Sequence, residues 1–193
     1  MDGLSIQMIP VKKLSFITIM TSLCITTNYL LIGIPNVKVM DLFVFVSGHM
    51  MGSLSGAIVG SLTWLIYGTI NPYGFNLPTL IATCIGESFY GIFGGLSTKL
   101  GLKISSEQFH IDSRLFKESL KLGILGFLIT FVYDLFTNAV TAFVFGIPLF
   151  AWIFVGVPFT VTHEISNFFF FFLAGGVLIH TLKKTNLLEV KNY

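Results

Sequence analysis

Five apolar stretches, each about as long as a helix that crosses a bilayer, dominate this chain and leave few other folds open to it. They run from about Leu14 to Ile34, from Asp41 to Ile70, from Leu77 to Leu96, from about Leu120 to Phe145 and from Phe159 to Leu182. A hydrocarbon core takes about 20 helical residues. Charged residues make up only 10% of the chain, where an ordinary soluble domain carries about a quarter. Such a surface cannot face water all round. The expectation is an all-α integral membrane protein, a single transmembrane domain over residues 1–193, embedded in the lipid bilayer of the cell membrane as a multi-pass protein.

The stretch from Asp41 to Ile70 is too long for one upright span, because its helix would measure roughly 45 Å against a core of about 30 Å. It is either one tilted helix or two short ones that break near Gly48-His49-Met50-Met51-Gly52-Ser53. The eleven Lys and Arg residues favour the second choice. With six spans and both termini cytoplasmic, Lys38 alone lies outside, a split of 10 to 1 across the membrane. With five spans and an outside N-terminus the split is 9 to 2. Lys12 and Lys13 also flank the N-terminal side of the first span, the usual determinant of orientation. A signal peptide is not expected, since that apolar stretch exceeds the usual core of roughly 7 to 15 residues and lacks a small-residue cleavage site.

Between the spans, Gly33-Ile34-Pro35-Asn36 ends the first helix, and the loops Asn71–Asn76 and Gly146–Pro158 are expected to face outward. The segment of about 98–118 mixes Lys103, Glu107, His110, Asp112, Arg114 and Lys117 with apolar residues, and reads as a cytoplasmic connection along the membrane surface. Cys24 and Cys84 sit inside apolar stretches as small packing residues. The formal charge of +2 is scattered, which excludes a nucleic-acid partner.

Enzymatic and nucleotide-driven readings find no residues to carry them. His163-Glu164-Ile165-Ser166-Asn167 begins like a zinc-protease helix but has Asn167 where the second histidine belongs. Gly94-Gly95-Leu96-Ser97-Thr98-Lys99 has the wrong spacing and order to cradle phosphates. Neither an enzyme nor a cofactor or metal site is expected.

Two kinds of pattern carry more. Gly48, Gly52, Gly56 and Gly60, with Glu87, Gly91 and Gly95, repeat every fourth residue and make grooves in which helix backbones approach closely; internal packing is their commoner use. Thr18, Ser22 and Thr26 form a second small-residue face on the first span. Acids inside spans are costly in lipid and usually face a cavity or a partner; Asp41, Glu87, Asp134 and Glu164 are of this kind. Asp134 and Asn138 share one helical face, as do His163 and Asn167, so with Glu164 they converge either on an outer-half pocket or on a hydrogen-bond network that locks helices together. Tyr67, Tyr73, Phe75 and Trp152 at outer ends and loops offer flat apolar surfaces, with Asn76 to orient a polar edge; an interfacial aromatic belt is the competing use.

Taken in order, Asp41-Leu42-Phe43-Val44-Phe45-Val46-Ser47-Gly48-His49-Met50-Met51-Gly52-Ser53-Leu54-Ser55-Gly56-Ala57-Ile58-Val59-Gly60, then Tyr67, Asn71-Pro72-Tyr73-Gly74, Tyr133-Asp134-Leu135-Phe136-Thr137-Asn138 and Pro158 to Asn167 resemble the substrate-binding S components of energy-coupling factor (ECF) transporters. The resemblance covers most of the chain. It implies six transmembrane helices, a vitamin-like ligand held near the outer surface, and a partner assembly of one membrane T subunit and two ATPases. It implies docking on the T subunit through small residues of the first helix, here Thr18, Ser22 and Thr26. It implies a ligand site drawn from Tyr67, Tyr73, Asn76, Asp134, Asn138, Trp152, His163, Glu164 and Asn167, with a slight lean toward a cobalamin-like or flavin-like molecule. Nickel and cobalt members are similar to one another in an N-terminal histidine near residue two, where this chain has Asp2. A stand-alone secondary transporter that relays protons through Asp134, His163 and Glu164, or a membrane scaffold, are the alternatives.

Overall fold

The computed structural model describes residues 11–72, 74–102 and 113–185. These form α1 (Val11–Leu30), α2 (Met40–Met51), α3 (Ser53–Ile70), α4 (Leu77–Lys99), α5 (Ser113–Phe145), α6 (Leu149–Phe170), a π-helical turn (Phe171–Gly175) and α7 (Gly176–Lys184), with no strand among the described residues. The last three run on as one rod, Leu149–Lys184. Four helical segments are long and apolar enough to cross a membrane: Ser53–Ile70, Leu77–Lys99, Leu115–Phe145 and Leu149–Lys184. Large apolar side chains such as Phe143, Phe150 and Phe154 are 80% exposed or more. An apolar exterior on an all-helical bundle is the architecture of a helical membrane protein, with lipid as the solvent its surface requires.

The Asp41–Ile70 region divides at Gly52, which takes φ +89°, a conformation open to glycine and costly for other residues. The helix α2 that precedes it has 12 residues, so it is about 18 Å long and reaches only part of the way across a bilayer. Its N-terminal turn starts deep in the bundle, where Met40 is wholly buried against Cys24 and Asn28 of α1. The chain reverses at Gly52 and α3 returns alongside α4 in the opposite sense, from Ser53 near Ile92 and Gly95 to Gly68 near Leu80.

Glycines set how closely these helices meet. A Cβ at Gly91 would collide with the backbone of Gly56, one at Gly48 with the backbone of Gly91, and one at Gly94 with the backbone of Phe45. The fourfold glycine spacing therefore serves an internal seam among α2, α3 and α4, and Gly52 is the break rather than a member of a groove.

Two boundaries differ from the sequence expectation. The Gly146–Pro158 segment is not a loop: the connection is confined to Gly146–Pro148, and α6 starts at Leu149 with Pro158 inside it. Neighbouring helices and local adjustment tolerate proline in a helix at membrane depth, so Pro158 does not end the segment. At the other boundary, α5 starts at Ser113, so 113–118 belongs to that helix; residues 103–112 of the expected surface connection lie outside the described residues.

Candidate functional site

Six polar side chains from four helices meet in the bundle core. Asp41 stands in the first turn of α2, where a helix N-terminus favours an acid. His163 of α6 places Nε2 2.7 Å from Asp41 Oδ2 and Nδ1 3.1 Å from Asp134 Oδ1. One turn on, Asn167 donates through Nδ2 to Asp41 Oδ2 at 2.6 Å and to Thr130 Oγ1 at 2.7 Å. The Tyr90 hydroxyl donates to Thr130 Oγ1 at 2.9 Å. A hydrogen bond between an imidazole nitrogen and a carboxylate oxygen uses one proton, so His163 links Asp41 and Asp134 through its two ring nitrogens. Beside them the wholly buried Glu87 accepts from Trp64 Nε1 at 3.0 Å. Asp41 Oδ1, Glu87 Oε1 and Asn167 Oδ1 meet no donor among the described residues, which leaves the cluster acceptor capacity for further protons or water.

Above this cluster, at the end of the bundle that carries the 31–39 and 71–76 connections, lie two adjoining cavities. The larger, about 480 Å³, is lined by Asn28, Lys38, Trp64, Tyr67, Asn76 and Thr83, among others. The smaller, about 380 Å³, includes Tyr133, Asp134, Asn138, Trp152 and Gly156. Asn36, Lys38, Trp64, Thr79, Thr83 and Phe159 line both. These volumes fall within the range of small-molecule sites, and the mix of apolar walls with a few amides and hydroxyls is what such a site needs.

The connection from α1 to α2 brings Lys38 to the shared wall. Asn36 has φ +56°, the left-handed region that asparagine enters more readily than most residues, and so turns the chain back toward the buried start of α2. The Lys38 ammonium then rests 4.7 Å from the centroid of the Trp64 ring and 5.6 Å from that of Tyr133. Trp64 and Tyr67 meet edge to face at 5.5 Å, and Tyr67 meets Tyr29 in the same way.

The residues singled out in the sequence fall into three groups. Tyr67 and Asn76 line the larger cavity, and Asp134, Asn138 and Trp152 the smaller. The Asn76 side-chain oxygen also caps α4 by accepting from the Thr79 N–H at 3.1 Å. His163 and Asn167 are wholly buried in the core network and line neither cavity, so for these two the helix-locking alternative describes the geometry. Glu164 is buried on α6 and lines neither cavity either. Tyr73 lies outside the described residues.

Thr18, Ser22 and Thr26 form an exposed row on α1. The Thr18 and Ser22 hydroxyls donate back to the carbonyls of Leu14 and Thr18, at 3.0 and 2.9 Å, which leaves a smooth, narrow face. Sequence reasoning missed Lys38, Trp64, Thr79 and Thr83 as cavity residues. Lys38 had a signal, as the single cation assigned to the outer side; the other three had none. Among the described residues no three His, Cys, Asp or Glu side chains are grouped to hold a metal ion. In comparisons with protein-family models, curated proteins and solved structures, nothing matches the chain.

Proposed function

We propose that this chain is the substrate-capturing membrane subunit of an ECF-type importer. It crosses the membrane six times with both termini in the cytoplasm, holds a vitamin-like small molecule in its outer half, and delivers it through a T subunit driven by two ATPases. The observation that carries this reading is the asymmetry of the bundle along its length. Two adjoining cavities open among loops at one end, while glycine-to-glycine packing closes the same helices below them. A protein built this way is suited to capture a small molecule from one side. The exposed row Thr18, Ser22 and Thr26 on α1 supplies a face on which another helix can approach closely.

Substituting Ser22→Leu tests this. The side chain faces outward, so lipid insertion and ligand capture should be preserved, while close docking of a partner helix is blocked. In cells that supply the T subunit and ATPases, uptake should fall at least tenfold, and the purified variant should retain the same small molecule by mass spectrometry as the unsubstituted protein. The buried Asp41–His163–Asp134 chain favours one rival, a proton-driven transporter that works alone. Uptake that persists in cells without the ATPases, and collapses when the proton gradient is dissipated, would establish that rival in place of the importer.

A further inference from the structure

Among the described residues that line the larger cavity, Lys38 is the only Lys, Arg, His, Asp or Glu. Asp134, the one acid among the described residues that line the smaller cavity, directs both carboxylate oxygens at His163, at 3.1 and 3.2 Å. The Lys38 ammonium itself has no carboxylate within ion-pair distance among the described residues. Its contacts there are the faces of Trp64 and Tyr133. Such faces attract a cation but accept no conventional hydrogen bond, so the three N–H donors of the ammonium remain available to a ligand.

The placement is also built rather than accidental. The left-handed turn at Asn36 lies on one side of Lys38, and the buried Met40, held by Asn28 and Cys24, lies on the other. Lys38 thus stands where the two cavities join, half-buried.

We infer that the ligand of this site carries an acidic group, a carboxylate or a phosphate, which docks on the Lys38 ammonium at the junction of the two cavities while its apolar body lies toward Tyr67. This inference rests on the capture reading above and narrows its ligand class. The carboxylates of Asp41 and Asp134 beneath oppose an anion, but both already face His163, and Asp41 also accepts from Asn167. A direct contact with the ammonium acts at a shorter distance, and Coulomb attraction falls as the distance grows.

Trp64 gives a local readout, because the chain has two tryptophans and a Trp152→Phe background leaves Trp64 alone. In that background, the isolated protein is titrated with iodide, an anionic fluorescence quencher, with and without Lys38→Met. Iodide quenching of Trp64 should fall about two- to fourfold on loss of Lys38 at low salt, the factor expected for one unit charge at about 5 Å in a water-like medium. Quenching by neutral acrylamide should be unchanged, which shows that the site is intact. Benzoate or phenyl phosphate should shield Trp64 from iodide in the Lys38 protein, and benzamide should not; the stronger of the two acids identifies the acidic group as carboxylate or phosphate. The inference is overturned if iodide quenching ignores Lys38, if neither acid shields, or if benzamide shields as well as the acids. None of these readings involves transport. A Lys38-dependent anion site in a protein that never couples to ATPases would remove only the importer assignment, and coupled uptake without such a site would remove only the acidic ligand.

Discussion

The glycine-lined and cavity-bearing halves of the α3–α4 pair are built from the same two helices and do opposite things. In the glycine-lined half, Gly56 meets Gly91 backbone to backbone, and the Gly48 backbone of α2 closes on Gly91 from beside them. In the cavity-bearing half, Gly68 meets the Leu80 side chain, while Trp64 and Tyr67 from α3 and Thr79 and Thr83 from α4 stand around an open volume. Lipid offers no hydrophobic drive for helices to associate, so close van der Waals packing has to hold them. The lesson is that residue size along one helix pair, small at one end and large at the other, produces a sealed wedge with a cavity at its mouth.

The largest effect should follow from forcing the sealed half open. Gly91→Leu introduces a side chain where even a Cβ collides with the Gly56 backbone, and overpacking without room to yield costs about 3 kcal/mol or more. That is a large part of a typical folded-state margin of 5–15 kcal/mol. Little monodisperse protein should be recovered after detergent extraction. Gly33 has no atom within 4 Å of its Cβ position, so Gly33→Leu should elute and melt like the unsubstituted chain. Equal behaviour of the two variants would mean that the seam does not hold the bundle.

A smaller but still large effect is expected at the floor between the halves. His163→Ala removes the group that both Asp41 and Asp134 face, and leaving buried charges uncompensated costs roughly 3 kcal/mol. The fold should survive with a clearly lowered melting temperature. Asn167→Ala removes the amide donor that reaches Asp41, Thr130 and Tyr90 and should lower stability by about 1–2 kcal/mol. These residues belong to the structure of the floor, so their loss should appear in melting curves before it appears in ligand affinity. The opposite order would place them in the cavity after all.

Much of this arrangement is legible in the sequence, for reasons that also explain where legibility ends. Gly33-Ile34-Pro35, the break at Gly52 and the polar run from Asn71 mark helix ends because glycine, proline and amides act locally. Asp41, Glu87, Asp134, His163 and Asn167 stand out because lipid makes polar residues inside spans expensive. Their roles do not stand out: His163 and Asn167 bond Asp41 across separations of 122 and 126 residues, and no local pattern encodes such a meeting. Trp64 and Thr83 escape notice since both faces of a lipid-exposed helix are apolar, which erases the periodicity that marks an inward face in soluble proteins. Pro158 misleads because a strong stop signal in water is tolerated at membrane depth.

Asn138 gives the finest division between the two halves, since it lies on α5, one turn beyond Asp134, yet belongs to the open side. Its side chain lines the smaller cavity, lies 3.7 Å from the Cβ position of Gly156, and makes no hydrogen bond among the described residues. Asn138→Ala therefore removes nothing that holds the fold, and the melting temperature without ligand should stay within about 1 °C of the unsubstituted protein, as for a change worth a few tenths of a kcal/mol. A ligand group that pairs with this amide would be left buried and unsatisfied in the variant. The affinity for the molecule retained by the purified protein should then drop by about one to two decades, the equivalent of roughly 1 to 3 kcal/mol. Calorimetry on both proteins with that molecule separates the alternatives. A lowered melting point at unchanged affinity would move Asn138 to the structural floor beside Asp134, and the boundary between the sealed and open halves would then lie one helical turn further out.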